Sequence, residues 1–243
     1  MDGTRTSHPP RIRRSGQKRP VTIDRIPLKL QATDAVAVYF SRLGAAMYTH
    51  EKVTLSIVAE SIARVNDWCY AGVYDPAERS GGGLFFVPDD TLMFDEARAL
   101  GIHSSHQLYG AVAPYPFVKT KAITHGLVSS HAARPYGWSS IFADSVRNAV
   151  LPGYTVFSSD DARMAAMRLL PLGPIRVKEP LGDGGYGQTA VAGVAELDAF
   201  LEKLSLEEIE CHGLVLETNL RRVTTRSVGQ TMIGDRTITY HGT

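Results

Sequence analysis

Short apolar runs alternate along the chain with stretches whose apolar residues recur at helical spacing, and glycine- or proline-rich breaks separate them. Residues 21–30 alternate loosely and predict a strand, interrupted at Pro27. Residues 35–40 fit a strand or a short helix, because periodicity does not separate the two. Residues 50–65 predict a helix with Val53, Ile57, Ala59, Ile62 and Ala63 near one face. After Gly81, Gly82 and Gly83, the continuous run Leu84, Phe85, Phe86, Val87 predicts a buried strand. Residues 88–91 supply turn and cap types. Residues 92–100 then have helical spacing and stop at Gly101. This strand–loop–helix unit is Rossmann-like, without a glycine fingerprint in its loop.

Residues 110–128 are less regular, with prolines at 114 and 116. Residues 129–140 read as a loop and 141–150 as a helix. The last hundred residues are clearer. Strands are predicted at 154–157, 174–178, 188–192 and 213–217. Helices are predicted at 158–170, 194–204 and 206–211, the first with Ser158 and Asp161 at capping-box spacing. Residues 224–233 and 237–240 predict a hairpin around Gly234 and Asp235.

Gly182, Gly184, Gly185 and Gly187 form a G-x-G-G-x-G loop between two predicted strands. The loop does not open a helix, so it is neither a P-loop nor a dinucleotide fingerprint. It is a structural hairpin or a flap over a polyphosphate, since glycine lets backbone amides approach the oxygens closely. Lys178, on the strand feeding the loop, places an ammonium where it would offset phosphate charge.

Pro174-Ile-Arg-Val-Lys-Glu-Pro180 with this glycine hairpin resembles the ATP-grasp superfamily, in which a Pro-Val-Val-Val-Lys-Pro strand precedes a flexible glycine loop. Gly213-Leu-Val-Leu-Glu217 and the next three residues resemble that family's hinge strand. More closely, Phe86-Val-Pro-Asp-Asp-Thr91, Thr120-Lys-Ala-Ile-Thr-His125 and Ser227-Val-Gly-Gln230 resemble an uncharacterised proteobacterial family with an ATP-grasp-like core. The resemblance covers residues 60–243. It implies an α/β fold: a Rossmann-like pre-ATP-grasp domain over 21–150, then the nucleotide-binding lobe of an ATP-grasp fold over 151–243, its final lobe incomplete. Lys121 and Lys178 would contact ATP phosphates. Gly184, Gly185 and Gly187 would form the flap. Glu217 to Leu220 would frame adenine, with Leu220 donating a backbone amide. Lys119, on the same face as Lys121 if the segment is extended, is a second candidate for the phosphate contact.

The implied chemistry is ATP-dependent ligation of a carboxylate to an amine or thiol through an acyl-phosphate, with magnesium as cofactor. The family's metal ligands, an acid and a Glu-x-Asn pair, are not found here. After Glu217 the only carboxylate side chain is Asp235, against Arg221, Arg222, Arg226 and Arg236. The expectation is therefore a truncated chain, a remainder supplied by another chain, or a non-catalytic module that binds nucleotide or scaffolds a partner.

Composition narrows the classes further. With 44% hydrophobic and 21% charged residues, a sizeable core is expected. A net charge of +1 argues against a general nucleic-acid binder. The balance hides a basic arm. Residues 1–20 hold six basic residues and one acid and are expected to be disordered, while the rest carries 20 basic and 24 acidic residues. Two distant cysteines exclude a disulfide scaffold, and no apolar run is long enough to span a membrane. A cytoplasmic protein is expected, and a homo-oligomer is left open. Of the remaining candidates, His103 and His106 read as exposed loop histidines. Asp89 and Asp90 read as caps of the following helix, and His125 as a core or surface histidine. Ser129, Ser130 and His131 have no nucleophile signature. Tyr39, Tyr48, Trp68 and Tyr70 read as core and rim residues.

Overall fold

The computed structural model describes residues 34–41, 49–77, 83–182, 186–233 and 236–242. The basic arm, the strand expected at 21–30, Tyr48, Gly184, Gly185 and the turn at Gly234 and Asp235 lie outside the described residues.

Strand β1 (Ala35–Tyr39) is the middle of a three-stranded parallel sheet, flanked by β2 (Cys69–Val73) and β3 (Leu84–Pro88). Val36, Ala37 and Val38 are all buried, so both faces of β1 are covered. That explains why its sequence runs apolar without alternation. β2 was not anticipated: it is half-exposed and interrupted by Gly72, which leaves no apolar signature. Helix α1 (Thr49–Val65) connects β1 to β2 and packs on β1. Its buried stripe is Ala59, Ile62 and Ala63, flanked by partly buried Leu55 and Val58. Val53 and Ile57, expected on that face, are more than half exposed. They form an i,i+4 pair on a neighbouring stripe.

The segment expected as one helix over 92–100 divides. Leu92–Met93 is strand β4, paired in parallel with β5 (Val112–Ala113), and helix α2 covers only Phe94–Ala99. Its amino terminus is capped by Glu96, whose carboxylate accepts the Met93 N–H at 2.7 Å. Asp89 does not cap the helix. It accepts from the N–H and hydroxyl of Ser41, both at 2.9 Å, and so ties the ends of β3 and β1 together. Helix α3 (Ile141–Val146) is shorter than the expected 141–150. Ile141 and Phe142 are exposed and Ala143 alone is buried, so further turns would gain little burial.

The second sheet is antiparallel, in the order β6 (Gly153–Val156), β9 (Leu214–Thr218), β7 (Ile175–Lys178), β8 (Gln188–Val191). Three helices join its strands: α4 (Ser159–Leu169), α5 (Val194–Leu201) and α6 (Leu206–His212). α4 begins as the sequence predicts, with Ser158 Oγ accepting the Asp161 N–H at 3.1 Å. The Asp161 carboxylate, however, accepts from Ser158 Oγ and from Ala133 N, so it anchors the loop before the sheet. Alternation splits the sheet into two unlike faces. On one, Val156, Ile175, Val177, Val191, Leu214 and Leu216 are almost wholly buried in a core shared with α4 and α5. Ala162, Ala165 and Ala166 let α4 sit close to that face. The other face carries the polar positions. A hairpin of β10 (Ser227–Ile233) and β11 (Arg236–Gly242) follows, as predicted. Among the described residues, no helix is long and apolar enough to cross a membrane.

Candidate functional site

The polar face of the antiparallel sheet is organised as two cross-strand rows. Gly153, Glu217, Arg176 and Ala190 form one; Thr155, Val215, Lys178 and Gln188 form the other. Lys178 ends β7, at the entrance to the glycine loop. Its Nζ lies 2.6 Å from Glu217 Oε1, a diagonal contact between the rows. The Glu217 side chain is 8% exposed and that of Lys178 22%. The carboxylate is thus a buried anchor, and the ammonium reaches the surface with donors to spare.

The neck of the glycine loop is closed by Glu179 N–H donating to Gly187 O at 2.7 Å. Gly182 and Gly187 meet across it. A Cβ at Gly182 would lie 2.5 Å from the Tyr186 carbonyl oxygen, and Gly187 has φ +64°. Glycine is required at both positions for the strands to come this close. Lys121 donates to the Gly182 carbonyl, which brings the second sequence-predicted lysine to the same neck. Lys119 does not share this place. The chain here is two successive 3-10 turns, Pro116–Lys119 and Lys121–Thr124, with Thr120 capping the second. It is not an extended strand, so the two lysines part. Lys119 pairs with Asp90 at 2.8 Å.

His125 follows these turns and is 5% exposed. Its Nε2 donates to Leu151 O at 3.0 Å and lies 3.9 Å from Glu217 Oε2. A carbonyl only accepts, so Nε2 carries a hydrogen, and Nδ1 faces the Thr124 hydroxyl at 2.8 Å. Gly153 makes room for this packing: a Cβ there would lie 2.9 Å from His125 Cδ2. Burial lowers the His125 pKa below its ordinary 6.5, partly opposed by the Leu151 carbonyl and Glu217. The unfolded chain therefore takes up the proton first. The stabilising contribution is complete above pH 6.5 and declines as pH falls from there through the lower folded value. Urea unfolding between pH 8 and 5 should show this decline, and His125→Gln should flatten it. An unchanged slope in the variant would place the acid sensitivity elsewhere.

Leu220 lies beyond β9, half exposed, while Glu217 faces Lys178 with its side chain. Two residues grouped on this face, Arg176 and Gln188, are not among the sequence-predicted site residues, while Asn219 lies within the stretch 217–220 expected to frame adenine. Arg176, Gln188 and Asn219 form a hydrogen-bonded group beside Lys178. Strand alternation from Lys178 gives Arg176 the same face and was the available signal. His103 and His106 are exposed, as expected, and the Ser130 hydroxyl lies 3.2 Å from its neighbour His131 Nδ1. Among the described residues, no three His, Cys, Asp or Glu side chains cluster to hold a metal ion. Glu217, the buried carboxylate of this face, is occupied by Lys178.

A family model described as "Protein of unknown function (DUF3182)" matches residues 38–243. No curated protein matches the chain. Among solved structures, D-alanyl-alanine synthetase A from Vibrio cholerae O1 biovar eltor str. N16961 is similar at 11% identity and a TM-score of 0.46. That match covers 86% of this chain and 66% of the synthetase, so the chain spans just under two thirds of its length. A RimK domain protein ATP-grasp from Sphaerobacter thermophilus DSM 20745 is similar at 12% identity and a TM-score of 0.39, over 80% of this chain and 68% of that one.

Proposed function

The chain belongs to the DUF3182 family, and from that premise we propose that the polar face of its antiparallel sheet binds ATP in the manner of ATP-grasp proteins. The observation that carries this reading is the convergence of two lysines on one glycine neck. Lys178 leads into the loop, held from below by Glu217, and Lys121 is bonded to the loop at Gly182. Fixed ammonium groups beside backbone amides that can approach closely are suited to a polyphosphate. In this reading residues 151–243 are the nucleotide-binding lobe, with Gly184, Gly185 and Gly187 as the flap, and residues 21–150 are the leading domain. The sequence resemblance extends the proposal to a class, ATP-dependent ligation of a carboxylate to an amine or thiol. Calorimetric titration of the full chain with ATP, with and without magnesium, should give a saturable heat. No binding at millimolar ATP would sink the proposal.

A second reading, nucleotide binding without turnover, is favoured by one observation: Glu217, the buried carboxylate of this face, is paired with Lys178 at 2.6 Å rather than offered to a metal ion. Release of ADP by the purified chain, abolished in Lys178→Ala, would refute it.

A further inference from the structure

Arg176 stands directly across the strand pair from Glu217, on the face that carries Lys178. Two residues of strand put it about 7 Å from Lys178, on the side away from the loop. Its cross-strand neighbour is a carboxylate, yet the two do not pair. Glu217 takes Lys178, and the Arg176 guanidinium turns to neutral acceptors. Nε and Nη2 donate to Asn219 Oδ1 at 3.0 and 2.9 Å, and Nη1 reaches Gln188 Oε1 at 3.4 Å. Among the described residues, no carboxylate forms an ion pair with it.

A guanidinium is flat, and its five N–H groups lie in its plane. Here three of its hydrogen bonds are made by neutral side chains, two of them along one edge. Such bonds lie in the plane, fix its orientation and make no use of its faces. The group is half-buried and held beside Asn219, next to the end of β9. The two lysines at the loop neck mark the phosphate end of the proposed site, so Arg176 belongs to the opposite end of a bound nucleotide. We infer that the Arg176 plane is a stacking platform for the nucleobase, with Asn219 and Gln188 as positioning residues. This inference rests on the nucleotide-binding reading above. A cationic plane stacks on any aromatic ring, so the platform contributes affinity for purines without choosing between them.

The test is calorimetric titration of the full chain and its variants with ATP, GTP and inorganic tripolyphosphate. Arg176→Met should weaken ATP and GTP about tenfold each, the scale of a desolvated cation–π contact, and leave tripolyphosphate unchanged. Arg176→Lys, which keeps the charge and loses the plane, should recover only part of that affinity and leave tripolyphosphate unchanged. Asn219→Ala should weaken ATP several-fold, again without affecting tripolyphosphate; it carries the test should Arg176→Met fail to fold. An equal loss on tripolyphosphate would make Arg176 a phosphate contact and overturn the inference. So would unchanged ATP binding in the Arg176 variants. A wild-type chain that binds none of the three ligands would instead refute the nucleotide reading itself.

Discussion

Replacing Lys178 with methionine is expected to lower affinity for ATP about a hundredfold and, separately, to destabilise the fold by about 3 kcal/mol. On the proposed reading, the first effect is the loss of a charge-assisted hydrogen bond to phosphate, worth up to about 3 kcal/mol, or two decades in Kd. The second comes from Glu217. Its carboxylate is 8% exposed and its near partner is the Lys178 ammonium at 2.6 Å. Without that partner a buried anion is stranded, which costs about 3–5 kcal/mol in comparable cases. His125, 3.9 Å away and with its pKa lowered by burial, offers little compensation at neutral pH. The two effects can be pulled apart. In Lys178→Met/Glu217→Gln the stranded charge is gone, so urea unfolding should show stability largely restored while calorimetry shows ATP binding still lost. A double variant that binds ATP like the wild type would remove Lys178 from the phosphate site.

Gly153→Val is expected to cost about 3 kcal/mol, at the upper end for overpacking a close-packed site. Gly153 opens β6 opposite Glu217. A Cβ at that position would lie 2.5 Å from the Leu216 carbonyl oxygen and 2.9 Å from both Glu217 Cβ and His125 Cδ2. The nearest of these is backbone of the central strand and cannot rotate away. A branched side chain must either part β6 from β9 or expel His125 from its seat under Leu151. Thermal unfolding measures the first result, and the histidine ring resonances report the second. Wild-type stability together with an undisturbed His125 signal would show that the two strands separate more easily than this packing allows.

The trailing half was far more legible than the leading half, and the reasons are local. Ser158 and Asp161 announce α4, and Pro174, the glycine loop and Gly213 punctuate β7, β8 and β9, so each element has a chemical boundary. Around α1 the apolar residues occupy more than one stripe. Choosing Val53 and Ile57 over Leu55 and Val58 rotated the helix, because only the sheet decides which stripe is covered. Asp89 and Asp90 have helix-capping composition, but tertiary partners far along the chain, Ser41 and Lys119, claim their oxygens. The meeting of Lys121, Lys178, Gly182 and Gly187 at one loop neck was legible in the lysines and the glycine spacing. The rest of the face was not legible in Arg176 or Gln188, and for His125 the sequence left core and surface open. Their significance comes from neighbours across strands and turns, and no short window of sequence contains those neighbours.

The position of β9 has a consequence for the order in which the chain matures. β9 is the last strand of its sheet to be synthesised, yet it lies inside the sheet, between β6 and β7. Until β9 joins, β6 and the β7–β8 pair lack their common neighbour, and Ile175 and Val177 lack Leu214 and Leu216 beside them. Open edges above apolar surface are what chaperones recognise and what aggregates. Insertion of β9 ends that vulnerable interval. Because the same strand brings Glu217 under Lys178, the polar face is complete only once the sheet is sealed.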